Sequence, residues 1–379
     1  MNIGIDIRVL GNTYKSGVEE YTEQLLSHLL RLDSSIKYKL FFSSWKRQLP
    51  DFTWTHLPNV QVKQVKIPNR TFFYSGRLMN VPKLDVVLEG VDVFFSPHFF
   101  LAPLSHGVRR VTTFHDLSFE RFPEFFSFRK RIWHRFEMRP KWQARSSDAI
   151  IAVSDSTKND LVELYNIDPA KIHVIYSGIA QSIQRPGKEE LEEFRNKKQI
   201  PEKYILSVGT LEPRKNIIGL ICAFELLKRN SEFDDLHLYI MGSQGWLYRD
   251  IKKAIQNSKY KSHITFLGSV CDSERTFYYS LASVFVYPSF FEGFGFPPLE
   301  AMTCKVPVIV SYNSSLSEVV KDAGLLIDPY NVTEIARTIE KVLKDKKLYS
   351  MLVRRGEQHV MQFSWNECAQ KTLKLLTKI

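Results

Sequence analysis

Cysteine is scarce: Cys222, Cys271, Cys304 and Cys368 are the four present, and no two of them stand in a CxxC spacing. That pattern excludes a disulfide-stapled framework and a cysteine-ligated zinc site, and it reads as buried free thiols. No stretch approaches the roughly 18 uninterrupted apolar residues that a membrane-crossing helix needs. The amino terminus, MNIGIDIRVLG, has its apolar run interrupted by Asp6 and Arg8, so it reads as a first buried strand and not as a cleaved leader. A cytoplasmic location is the expectation. GxGxxG is missing as well, since the first turn reads GNTYKSG, which weighs against a dinucleotide-binding loop. Low-complexity tracts are absent, and 44% hydrophobic with 25% charged residues is the balance of an ordinary globular chain.

At 379 residues the chain exceeds what one hydrophobic core usually organises, so two domains of similar size are expected. The formal net charge of +11 favours an anionic partner: a phosphate, an acidic membrane or a nucleic acid. Short β-rich runs alternate with amphipathic stretches nearly from end to end, the pattern of βα units around mainly parallel sheets. NIGIDI is a strand, residues 11–17 a glycine-bearing turn, and Val18, Tyr21, Leu25, Leu26, Leu29 and Leu30 recur at helical spacing. YKLFF, DVFFS, RRVTTF and DAIIAV continue the strands, and Ser154 is a plausible N-cap for the helix DSTKNDLVELY. The alternation pauses at the polar stretch SIQRPGKEE and restarts through YILSVG, LHLYIM, ITFLG, VFVYP and PVIV. The reading is therefore an α/β chain with a first Rossmann-like domain over 1–180, a second over 181–361, and a terminal helix over 362–379 packing back toward the first. Ligands of such open sheets bind at the carboxyl ends of the strands, here in a cleft between the halves.

Three constellations can carry chemistry. FEGFGFPPLEAM, residues 291–302, follows a strand and places Pro297 and Pro298 in the first turn of a helix. Gly293 and Gly295 let backbone N–H groups approach a ligand, the helix turns its positive end the same way, and Glu292 and Glu300 can accept hydrogen bonds from sugar hydroxyls. The bland alternative is a glycine-rich connector with solvated glutamates. VGTLEPRKN, 208–216, ends a strand with two adjacent cations, Arg214 and Lys215, which would stabilise charge growing on a leaving diphosphate, although an RK pair is more often plain surface. In VTTFHDLSFERFP, His115 and Asp116 follow a first-domain strand, where a lone histidine is usually structural.

The FEGFGFPPLEAM string, with glutamates eight positions apart, resembles the signature of glycosyltransferase family 4, whose members are retaining enzymes of the GT-B fold. The resemblance runs nearly the whole chain through VGTLEPRKN, ITFLGSV, VFVYPS and PVIVSYNSSLSEVVKDAGLLIDP, in the family's order. It implies a nucleotide-sugar donor, with Glu292 and the amides of Phe294 and Gly295 on the hexose and Glu300 on the ribose. It also implies a diphosphate clamp of Lys215 and Arg214, next to Gly209 and Thr210, the latter standing where many relatives carry arginine. By the same resemblance His115 contacts the sugar, Asp116 shapes its loop, and Gly17 of SGVEEYTEQLL offers an amide to the diphosphate, with Glu20 in place of the usual basic residue. No two aspartates are separated by a single residue, so the DxD metal clamp of the other major glycosyltransferase fold is missing. The cations are expected to stand in for it, with no metal and no cofactor. PHFF, HDLSFERFPE and GTLEPRKN look most like mannosyl- and rhamnosyl-transferring members of surface-polysaccharide assembly, which makes GDP-mannose the expected donor.

Between Arg121 and Arg145 eight Lys or Arg stand against two Glu, interleaved with Phe122, Phe125, Phe126, Phe128, Ile132, Trp133, Phe136, Met138 and Trp142. Two readings are open: one amphipathic helix packed on the first domain, or a surface for an anionic membrane, which a lipid-linked saccharide acceptor would explain. Alternatives to the transferase are a sugar-nucleotide epimerase of the same fold and a noncatalytic nucleic-acid-binding protein. The first lacks an acid–base motif at the sugar, and the second leaves FEGFGFPPLEAM unexplained.

Overall fold

The computed structural model describes residues 1–11, 16–45 and 47–379. The turn read over 11–17 thus has residues 12–15 outside the described residues. The chain forms two compact units, Met1–Gly178 with Phe363–Ile379, and Ile179–Gln362.

The first unit carries β1 (Asn2–Asp6), β2 (Lys37–Ser43), β3 (Val60–Val65), β4 (Val93–Ser96), β5 (Arg109–Phe114), β6 (Ala149–Ala152) and β7 (Ile172–Val174). They form one sheet in the order β3-β2-β1-β4-β5-β6-β7, every pairing parallel. The second unit carries β8 (Tyr204–Val208), β9 (His237–Met241), β10 (Ile264–Gly268), β11 (Val284–Tyr287), β12 (Val308–Ser311) and β13 (Leu325–Ile327). Its order is β10-β9-β8-β11-β12-β13, again all parallel. Each unit is thus Rossmann-like, as the βα alternation predicts.

Parallel strands are covered by helices on both faces, so their sequences are continuous apolar runs. VFFS of β4, AIIA of β6 and VIVS of β12 are buried at every residue. In the second unit the helix Ile217–Leu227 packs Ile217, Leu220, Ile221 and Phe224 onto this core. In the first, the terminal helix Trp365–Lys378 lies against the helix Gly17–Leu29, with the Trp365 and Tyr21 rings 5.8 Å apart. Strand order reverses at β1/β4 in one sheet and at β8/β11 in the other, so loops leaving those strands diverge to opposite faces and open a crevice at their carboxyl ends.

Two expectations are corrected. Only Cys304 and Cys368 are buried; Cys222 lies on the outer side of its helix and Cys271 at the start of the helix Asp272–Leu281, both exposed. The stretch 121–145 is also not one helix. It breaks into a 3-10 turn at Pro123–Phe125, a helix at Phe128–Ile132, a π-helical turn at Trp133–Met138 and a helix at Pro140–Ser146. The break has a local cause: Pro140 has no N–H to continue the ladder, and Arg139 before it turns to φ +48°.

Candidate active site

The second unit's crevice is built from the two loops that leave β8 and β11, the neighbours at which strand order reverses. After β8 the chain passes Gly209 and Thr210 and forms a 3-10 turn at Pro213–Lys215, closed by Asn216 at φ +53°, a left-handed conformation that asparagine tolerates. The Asn216 side chain donates to the Pro329 carbonyl at 2.7 Å, which anchors the turn. After β11 the chain runs through Phe290, whose N–H donates to Arg214 O at 2.8 Å, so the two loops are joined by backbone.

At that junction Glu292 is buried between both cations. Lys215 Nζ donates to its Oε1 at 2.6 Å and Arg214 to its Oε2 at 2.8 Å. Arg214 also grips Glu212 Oε1 through Nε and a terminal nitrogen at 3.0 and 2.6 Å, and donates to Phe291 O at 2.5 Å. The Lys215 ammonium reaches the Tyr287 hydroxyl at 2.5 Å, which leaves the third of its three protons for another acceptor. Burial alone would raise the Glu292 pKa, but Arg214 and Lys215 outweigh it and hold the carboxyl at about 2. Burial and the neighbouring Arg214 lower Lys215, against the pull of Glu292. Burial raises the Tyr287 phenol well above its ordinary value, and the Glu292 charge adds to this.

Glu292 also fixes the glycine loop. Its N–H donates to Ser314 Oγ at 2.9 Å, and the Ser315 hydroxyl lies within reach of both Glu292 O and Phe294 O, at 2.9 and 3.1 Å. Gly295 caps the helix Phe296–Thr303 at φ +98°, with Pro297 and Pro298 in the first turn. Pro297 and Pro298 carry no N–H, so it is the positive end of the helix and the glycine loop before it that suit an electronegative ligand.

Arg214, Lys215 and Glu292 are therefore brought together, with Gly293, Phe294 and Gly295 following Glu292 in the same loop. Gly209 lies against the Lys215 stem, where an added Cβ would meet Cε at 3.3 Å, and Thr210 Oγ1 sits 3.5 Å from Ser243 Oγ. Glu300 is placed apart from this ion cluster. It falls one turn into the helix, and its carboxylate accepts from Tyr279 OH at 2.6 Å and pairs with Arg275 at 3.2 Å. Glu212, Tyr287, Tyr279 and Arg275 were not singled out in the sequence. Glu212 stands inside the quoted VGTLEPRKN and Tyr287 inside VFVYP, and only the pairing of β8 with β11 reveals what they touch.

His115 and Gly17 belong to the first unit. His115 follows β5, and its Nε2 lies 2.8 Å from Pro97 O. A carbonyl can only accept, so Nε2 carries the proton and Nδ1 presents a lone pair. Burial lowers the His115 pKa, partly offset by that bond and by Asp116, so the ring is neutral at pH 7. Tyr21 stands edge-on to it at 4.8 Å. Asp116 accepts from the Ser118 N–H and hydroxyl at 2.9 and 2.6 Å, a loop-forming arrangement. Gly17 begins its helix next to Ser16, whose N–H donates to Glu19 Oε2 at 3.0 Å. Among the described residues no cluster of His, Cys, Asp or Glu has the make-up of a metal site.

Comparison with known proteins places the chain among glycosyltransferases. Residues 15–182 fit the family model described as Glycosyltransferase Family 4, and residues 189–359 fit that of Glycosyl transferases group 1. The chain is 35% identical to the O-antigen chain mannosyltransferase B of Escherichia coli over 74% of its own length and 73% of that protein. It is 29% identical to the serotype-specific mannosyltransferase WbdA of the same species over 65% of its length, but spans only 31% of that longer protein. Among solved structures, the sucrose-phosphate synthase of Thermosynechococcus elongatus superposes with a TM-score of 0.80 at 20% identity, covering 100% of this chain and 98% of that one.

Proposed function

The chain belongs to glycosyltransferase family 4, with the GT-B fold and hexosyltransferase activity, and from that premise we propose that it moves mannose from GDP-mannose, with retention and without a metal, onto a lipid-linked saccharide acceptor in surface-polysaccharide assembly. The observation that carries the reading is the buried Glu292 held by Arg214 and Lys215 where the β8 and β11 loops meet. The mannosyl donor is favoured by the names of the relatives above.

The chemistry follows from the residues. Breaking the bond between C1 of the sugar and the diphosphate puts charge on the leaving oxygen, which the remaining Lys215 proton and the Arg214 charge stabilise. Glu292, ionised and fixed, accepts from sugar hydroxyls, while the amides of Phe294 and Gly295 donate to its oxygens. Glu300 receives the ribose, and the Nδ1 lone pair of His115 accepts from a sugar hydroxyl. A carboxylate held at about 2 with each oxygen on a cation is a weak base and a hindered nucleophile. Displacement on one face is the better fit: the acceptor hydroxyl bonds to C1 as the diphosphate leaves, and its proton passes to a diphosphate oxygen. The cations take the place of a metal clamp. Of membrane attachment the fold adds one fact, that no helix among the described residues is long and apolar enough to cross a bilayer.

The test is release of nucleoside diphosphate from GDP-mannose, UDP-glucose and TDP-rhamnose, with NMR of the product linkage and a parallel reaction in EDTA. The expected result is a preference for GDP-mannose of at least about tenfold, which is roughly 1.4 kcal/mol of transition-state discrimination, an unchanged anomeric configuration and no effect of EDTA. Preference for another donor, an inverted linkage or loss of activity in EDTA would each remove the corresponding part of the proposal.

A further inference from the structure

The first unit holds a cavity of about 790 Å³ beneath the stretch that the sequence marks as basic and aromatic, a size within the usual range of small-molecule sites. Its apolar wall is Phe119, Phe128, Ile132 and Phe136. His134 adds to this wall: its ring lies flat on Phe119 at 4.2 Å, and burial pushes its pKa down to about 4, so it is uncharged at neutral pH. Arg131, Arg135 and Lys141 also line the cavity. Glu120 is the one acidic residue that does so, and it accepts from the buried Tyr165 hydroxyl at 2.9 Å. The cavity thus joins an oily interior to a strongly cationic rim.

Two features show a constructed wall. Trp133–Met138 is a π-helical turn, a conformation rare in proteins and frequent at functional sites. From outside, Arg77 braces it, donating to Phe136 O at 2.6 Å with its guanidinium 5.5 Å from the Phe136 ring. Phe128, Ile132 and Phe136 nevertheless stay exposed, so the apolar surface is continuous from the cavity to solvent, as entry of a chain too long for the cavity would require.

We propose that this cavity binds the isoprenyl phosphate end of a lipid carrier, with the first prenyl units against Phe119, Phe128 and Ile132 and the phosphate among Arg131, Arg135 and Lys141. A bare phosphate would leave the apolar wall unused, and an uncharged lipid would leave three cations without an anion. The inference deepens the lipid-linked reading of the acceptor and rests on it.

Calorimetry of the full chain with farnesyl phosphate, kept below its micelle concentration, tests the site. Farnesyl phosphate is expected to bind, with farnesol and inorganic phosphate each at least about tenfold weaker, since each lacks one half of the recognition. Arg131→Glu with Arg135→Glu should weaken farnesyl phosphate by about tenfold or more. Phe128→Ser with Ile132→Ser should weaken it while leaving inorganic phosphate unaltered. All four side chains are exposed, so the melting temperature should hold, and a variant that melts early is replaced by its single substitutions. Equal affinity in both variants, or inorganic phosphate binding as tightly as farnesyl phosphate, would overturn the site. So would binding of the chain to phosphatidylglycerol vesicles that farnesyl phosphate does not weaken, the mark of a flat membrane surface. Transfer to a farnesyl-diphosphate-linked saccharide, compared with the same saccharide free in water, separates the two claims: a preference for the linked acceptor that persists in the Arg131/Arg135 variant means that only this cavity is misassigned, and no such preference in the wild type means that the lipid-linked reading fails.

Discussion

Glu292 sits in a setting where the loss of one partner costs more than the loss of two. Its side chain and that of Lys215 are both buried, and their charges cancel at 2.6 Å. Glu292→Gln keeps the shape but strands a buried cation, an imbalance that costs about 3–5 kcal/mol when a buried pair is broken from one side. Adding Lys215→Met removes the stranded charge and should recover more than about 1 kcal/mol of that loss. Transfer activity should fall at least about a hundredfold in the single variant, which loses the carboxylate proposed to hold the sugar, and stay low in the double one, where the leaving diphosphate also loses the Lys215 cation although the fold is repaired. Urea denaturation and the transfer assay run side by side check this; activity that returns with stability would make the cluster a purely structural clamp.

The same reasoning applies to the element that carries Glu292. The loop after β11 must reverse sharply to start the helix Phe296–Thr303, and Gly295 does so at φ +98°, a region that disfavours any side chain. An added Cβ would also lie 2.7 Å from Leu316 Cδ2. Gly295→Ala should therefore lower the stability of the second unit by about 1–3 kcal/mol and reduce transfer by displacing the Phe294 and Gly295 amides. Gly295→Ala with Leu316→Ala removes the clash but not the backbone strain, so thermal melting of the pair should remain below that of Leu316→Ala alone. Elements with a local cause were legible in the sequence. DSTKNDLVELY forms the helix Asp155–Tyr165, and Ser154 caps it by accepting from the Thr157 N–H. RRVTTF is β5 to the residue. Strands lacking a long apolar run were not legible: β3, VQVKQV, lies at the sheet edge half in water, and β13 is three residues long. In the candidate site, the residues supplied by contiguous strings could be read in advance. Tyr279, Tyr287 and Arg275 could not, because their partners lie 21 to 72 residues away and are joined only by folding.

Over the whole chain the two units bury different chemistry and should respond differently to acid. The first unit holds His98, His115 and His134 half-buried, each with a lowered pKa chiefly through desolvation, His134 to about 4 with Asp116 opposing and Lys130 reinforcing. The second unit's buried site rests on Glu292, lowered from 4.5 to about 2. All four pKa values are depressed in the folded state, so the unfolded chain takes up protons first as the pH falls. The His134 contribution is complete above 6.5 and drains away as the pH drops toward about 4, whereas that of Glu292 holds down to 4.5 and is lost toward about 2. From the His134 shift alone the first unit should lose on the order of 2–3 kcal/mol between pH 7 and 4.5, with the other two histidines adding to it. Trp246 is the sole tryptophan between Ile179 and Gln362, so Trp246→Phe makes tryptophan fluorescence report the first unit by itself. Its urea midpoint should fall steeply from pH 7 to 4.5, while limited proteolysis at pH 5 cuts within 1–178 before 179–362. His134→Phe, which keeps a flat ring against Phe119, should shrink the pH dependence; an unchanged slope in that variant would show that the acid lability of this unit has another source.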